Sequence, residues 1–116
     1  MRFPETVIPH YASDPKVAAF FSGALNVEWI DDVHEMKPGA TGKTSYARHL
    51  KEALQYLLSE RPASSREWAL MTGVSFWEDD RLYAYLQDLY SYFYGDRQEP
   101  PQAPDPEETP PEKYWK

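Results

Sequence analysis

A chain of 116 residues, 41% hydrophobic and 16% aromatic, carries enough apolar material for one self-folding body, and one domain is the expectation at this size. The lack of cysteine excludes a disulfide framework, a thiolate metal site and a cysteine nucleophile. A formal net charge of −7 disfavours phosphate backbones and favours basic partners, whose approach is sped by long-range attraction.

Residues 1–13 hold Pro4 and Pro9 between short apolar steps and predict an extended N-terminal arm. Met1 to Glu5 lacks the charged-then-apolar layout of a signal peptide, and no apolar run approaches the ~20 residues of a bilayer span. The expectation is a cytoplasmic or other internal reducing compartment, with no membrane span. Asp14 before Pro15 is a helix-start signal, predicting a short helix to about Ser22 that Gly23 ends. Ala24 to Met36 is ambiguous: Val27 and Trp29 alternate like a strand, whereas Trp29, Ile30 and Val33 fall at helical spacing. The reading leans to helix.

After the turn-rich stretch Lys37 to Gly42, Thr44 or Ser45 caps a long helix that ends before Pro62. Its wheel gathers Tyr46, Ala47, Leu50, Ala53, Leu54, Leu57 and Leu58 on one side and sets Arg48, Lys51, Glu52, Gln55 and Ser59 opposite. Ser64 to Glu67 is a capping-box pattern opening a short helix that Gly73 can terminate, and Ser75 to Glu78 repeats that pattern. Glu78, Asp79 and Asp80 load the first turn of a last helix, roughly Phe76 to Tyr94 with Gly95 as its stop. There Leu82, Leu86, Leu89 and Phe93 form a stripe flanked by Tyr83, Tyr90 and Tyr94 on one side and Tyr85 and Tyr92 on the other. The apolar arc spans about 200°, about twice what one packing contact uses. Residues 96–116 interleave proline with acid, predicting a solvated proline-rich tail tipped by Tyr114 and Trp115. The fold class expected is all-α, a small bundle of three to four helices over 14–95 between an arm and a tail.

The chemistry on offer is sparse. Gly39-Ala40-Thr41-Gly42-Lys43-Thr44 has two residues between its glycines where a phosphate loop needs four, so a loop and helix cap is the better reading. Asp31, Asp32, His34 and Glu35 are a dense donor run, and His49 with Glu52 sits one turn apart on a helix. A metal site would need the two groups to converge across the fold, and a hydrated face explains the run. Glu78, Asp79 and Asp80 stand where a helix dipole lowers carboxylate pKa values, which suits capping rather than acid–base work. No serine lies on a glycine-flanked elbow. No catalytic residue, cofactor or metal is expected.

The sequence therefore predicts a non-catalytic protein-binding or accessory subunit docking on a larger complex. The surface expected comprises Tyr83, Tyr85, Tyr90, Tyr92 and Tyr94 of the last helix together with both terminal arms, the N-terminal one over residues 1–13 and the tail with Tyr114 and Trp115 as its anchor. The alternative is an acidic inhibitor of the toxin-immunity or anti-defence kind, neutralising a basic partner such as a nuclease through Asp79, Asp80, Tyr83 and Asp88. A tail that folds back over Tyr83, Tyr90 and Tyr94 is a further possibility within the chain, since aromatic surfaces accept extended proline-rich strands.

Overall fold

The computed structural model describes residues 3–105; Tyr114 and Trp115 lie outside them. The N-terminal segment is a succession of hydrogen-bonded turns rather than an extended arm. Val7 and Ile8 both donate backbone N–H to Pro4 O, and Tyr11 donates to Ile8 O. The turns follow from Ile8, whose side chain reaches the core and is buried there.

Asp14 then accepts the Lys16 N–H at 3.0 Å and Pro15 takes the first helical position, opening α1 (Pro15–Ala19) as the spacing predicts. The helix does not stop at Gly23. It widens into a π turn over Phe20–Ala24, in which Leu25 N–H reaches back to Phe20 O and both Phe20 and Phe21 enter the core. The ambiguous stretch beyond resolves to helix rather than strand, a 3₁₀ segment over Ile30–Met36 with a break at Asp32. Ile30 and Val33, three residues apart, both point inward from it, which is the eclipsed spacing of a 3₁₀ turn. One turn, α2 (Lys37–Ala40), leads on to α3 (Ser45–Glu60), whose Thr44 hydroxyl accepts the Ala47 N–H at 3.1 Å.

Along α3 the wheel is as expected: Ala47, Leu50, Ala53, Leu54 and Leu57 are buried, and Arg48, Lys51, Glu52, Gln55 and Ser59 are exposed. The capping box at Ser64 and Glu67 is present at the start of α4 (Ser65–Thr72), and Gly73 closes that helix in the left-handed region at φ 77°. The repeat of that box at Ser75 does not form. α5 (Asp79–Tyr94) begins three residues later than predicted, with Glu78 at its N-cap and no side-chain capping bond, because Phe76 turns into the core and Trp77 has a φ of 68°. Asp79 caps a different helix end instead, its carboxylate accepting the Ser65 N–H of α4 at 2.7 Å.

Among the described residues there are five α-helices and no strand. Helix α3 packs on α5 and on α1, and α4 packs on the π turn. Leu82, Leu86, Leu89 and Phe93 of α5 share one core with Leu50, Leu54 and Leu57 of α3, Trp68 of α4, and Phe20, Phe21 and Leu25. After Gly95 the tail turns back. Pro101 is buried, and Ala103 packs against the core where it and Pro104 face Val27, Ile30 and Trp77 across a cavity of about 320 Å³.

Two buried tyrosines of α5 differ in one atom's surroundings. The Tyr83 hydroxyl accepts the Ala63 N–H at 2.9 Å and donates to Ala63 O at 2.6 Å, whereas the buried Tyr85 hydroxyl has no partner among the described residues. Leaving a buried polar group unpaired costs about 1–3 kcal/mol. In urea denaturation, Tyr83→Phe is expected to lose about 1–2 kcal/mol, by orphaning the Ala63 amide, while Tyr85→Phe leaves stability unchanged or raises it by up to about 1 kcal/mol. Equal losses from both would contradict the bonding pattern.

Candidate functional site

Of the five tyrosines expected to meet a partner, three are buried within the chain and two are partly covered by it. Tyr83, Tyr85 and Tyr92 are 6%, 5% and 8% exposed, and Tyr90 and Tyr94 are half-buried. On one flank the Arg61 guanidinium covers the Tyr83 ring at 4.7 Å, Gln55 Nε2 donates to the Tyr90 hydroxyl at 2.9 Å, and the Tyr94 hydroxyl donates to Ala40 O at 3.1 Å. On the other, Phe76 packs against Tyr85 and Lys37 Nζ stands 4.4 Å from the Tyr92 ring centre. Burial pushes the Tyr83, Tyr85 and Tyr94 phenols above the ordinary tyrosine value. The width of the α5 arc is therefore met from both sides by loops and helix ends, which a wheel of α5 alone does not include.

The acidic residues of the same helix also serve internally. Asp80 pairs with Arg61 at 2.6 Å and Asp88 with Arg97 at 3.9 Å, the latter bringing the first tail residues back to α5. The Lys37–Thr44 stretch acts as turn and cap, with the Thr41 hydroxyl donating to Lys37 O at 2.7 Å. Among the described residues no group of three or more His, Asp or Glu side chains is arranged to hold a metal.

The open apolar surface lies elsewhere, on the segment between α1 and α2. A trough of about 600 Å³ runs between the α1–π wall, with Lys16, Ala19, Phe20, Gly23 and Ala24, and the 3₁₀ wall, with Trp29, Asp32, Glu35 and Met36. The spacing 16, 19/20, 23/24 is one face of a helix, and 29, 32, 35/36 is one face of a 3₁₀ segment. Trp29 is 57% exposed and Met36 36%. Gly23 supplies much of the depth. Its φ is not left-handed, and a Cβ built on it meets nothing within 4 Å, so neither backbone conformation nor crowding calls for glycine there. Its missing side chain leaves the trough floor open. The Trp29 wall carries the exposed carboxylates of Asp32 and Glu35, with Glu28 exposed on the same segment and Asp31 lining the cavity at Ala103 instead, while Lys16 stands on the opposite wall. Sequence reasoning singled out this carboxylate run only as a metal candidate and used Gly23 as a helix stop. The signals that mark the groove are Trp29 and Met36, seven residues apart, and a glycine inside a helical register.

A second cluster ties the N-terminal turns to α3. The imidazoles of His10 and His49 stack with ring centres 4.0 Å apart and 11° between planes. His10 Nε2 lies 2.7 Å from Glu52 Oε1, and His49 Nδ1 lies 2.9 Å from Asp14 Oδ2. The bond to His49 is the main cause that holds the Asp14 carboxyl below its ordinary value of 3.8.

The chain matches no family model, and neither a curated protein nor a solved structure is similar to it.

A carboxyl whose pKa is lowered by folding adds stability above its unfolded value, and that stability is lost as pH falls through the lower folded value. Asp14→Asn keeps a competent helix cap and removes only the charge. Denaturation across pH is expected to show the wild type more stable than Asp14→Asn at neutral pH, with the difference shrinking as pH drops below 3.8. A difference independent of pH would contradict the pairing with His49.

Proposed function

We propose that the chain is a non-catalytic protein-binding or assembly protein that docks on a larger partner through the groove between α1 and the 3₁₀ segment. The observation that carries this reading is Trp29 standing 57% exposed across from the wall that Gly23 leaves open. Isolated exposed apolar residues, such as Leu70 on α4, are ordinary on a folded protein. An exposed tryptophan and methionine on one wall, facing small residues on the other, form a concave anchor site of the kind where hot spots gather. Methionine adds an adaptable contact. The tyrosines of α5 have an internal role in this reading, and docking through them is set aside. The acidic-inhibitor alternative keeps one supporting observation, the exposed carboxylates beside Trp29, and becomes the case of docking in which the partner is basic.

Gly23→Leu places its Cβ where nothing lies within 4 Å, extends a side chain into the groove and replaces glycine in a helical turn, a change expected to hold or raise stability by about 0.5–1 kcal/mol. A tagged wild-type chain is expected to co-purify a partner that Gly23→Leu and Trp29→Ala both lose while melting normally. Retention of that partner by both folded variants would overturn the reading. Deleting residues 106–116 reads out the expected Tyr114 and Trp115 anchor separately: loss of the partner with the groove intact would assign docking to the tail.

A further inference from the structure

We infer that the groove accepts a cationic amphipathic helix, entered with its apolar face on Trp29 and Met36 and its basic edge along the 3₁₀ wall. This rests on the docking reading above and names the chemistry of the occupant.

Shape comes first. At about 2.0 Å per residue the 3₁₀ wall from Trp29 to Met36, broken at Asp32, spans at most roughly 14 Å. The facing wall from Lys16 to Ala24, at about 1.5 Å per residue, is roughly 12 Å. Two walls of that length match about two and a half turns of a partner helix, enough for anchors at i, i+4 and i+7. Ala19, Gly23 and Ala24 make the far wall low, so a helix backbone can come close. The trough is also apolar on its floor, with Phe20 beneath.

Charge supplies the second constraint. Residues 26–36 contain Glu28, Asp31, Asp32 and Glu35 and no lysine or arginine. All four carboxylates are exposed. None takes part in an ion pair found among the described residues. An acidic helix laid here would meet the like charges of Asp32 and Glu35 in the groove lining, with Glu28 exposed on the same segment, whereas a basic edge meets complementary ones. Lys16 on the opposite wall makes the asymmetry directional, so the occupant's other edge is neutral or carries a single acid.

The test uses two synthetic helical peptides of about 18 residues, long enough to be helical on binding. Both carry the same leucine stripe; one has lysines along a single edge and the other has glutamates at those positions. Binding to the full chain is followed by calorimetry and by the Trp29 indole resonance. The lysine peptide is expected to bind at least about tenfold more tightly than the glutamate peptide and to weaken about fivefold or more between low and high salt. The double variant Asp32→Asn, Glu35→Gln is expected to lose most of that preference. Equal binding of both peptides, abolished by Gly23→Leu, would overturn the cationic occupant and leave the groove as a docking site. Binding of neither peptide would overturn the helical occupant, with the co-purification of groove variants judging the docking reading on its own. Binding that survives Gly23→Leu and Trp29→Ala would overturn both.

Discussion

The apolar arc of α5 is too wide to be covered by one neighbour, and the rest of the chain is arranged to cover it. Helix α3 supplies the central contact through Leu50, Leu54 and Leu57. The flanks are closed by whatever lies within reach: the Arg61–Ala63 connection over Tyr83, Gln55 and Ala40 over Tyr90 and Tyr94, Phe76 and Lys37 over Tyr85 and Tyr92. Each large side chain so buried contributes about 1.5–3 kcal/mol of gross transfer free energy, and the tyrosine hydroxyls fix which loop goes where. The unpaired Tyr85 hydroxyl is the place where this enclosure is imperfect.

That constraint explains why the segment before α3 is irregular. Residues 15–40 lay Phe20, Phe21, Leu25, Ile30, Val33 and Ala40 against one core although they fall on no single helical stripe. A π turn and a 3₁₀ segment are the means by which the backbone brings those side chains inward within so short a stretch. The outward-facing residues of the same stretch form the groove. Its depth comes from Ala19, Gly23 and Ala24, and its acidic edge from the carboxylates left pointing at solvent when Ile30 and Val33 turn in. Groove and core coverage are two faces of one segment.

Regular helices with local start and stop chemistry were legible in the amino-acid order. Asp14-Pro15, Thr44, the Ser64–Glu67 box and Gly73 mark helix ends where the structure has them, because each acts through bonds within a few residues. The Ser75–Glu78 repeat misled, since burial of Phe76 outweighs a capping bond. Gly23 misled in the opposite sense: local propensity reads it as a stop, but Phe20 and Phe21 hold the turn closed through tertiary packing. The tyrosines of α5 were legible as a broad aromatic surface but their covering was not, because what covers them comes from positions up to 54 residues away. The groove was not legible, for Trp29 and Met36 become neighbours of Ala19 and Gly23 only once the chain turns back between them.

Native-state hydrogen exchange on the free protein tests the enclosure of α5 most directly, since it reads protection amide by amide. The account predicts that amides from Leu82 to Phe93 exchange only through global unfolding, as slowly as those of the buried face of α3, and that residues 26–36 exchange much faster. Exchange of the α5 amides through local opening while α3 stays protected would contradict it.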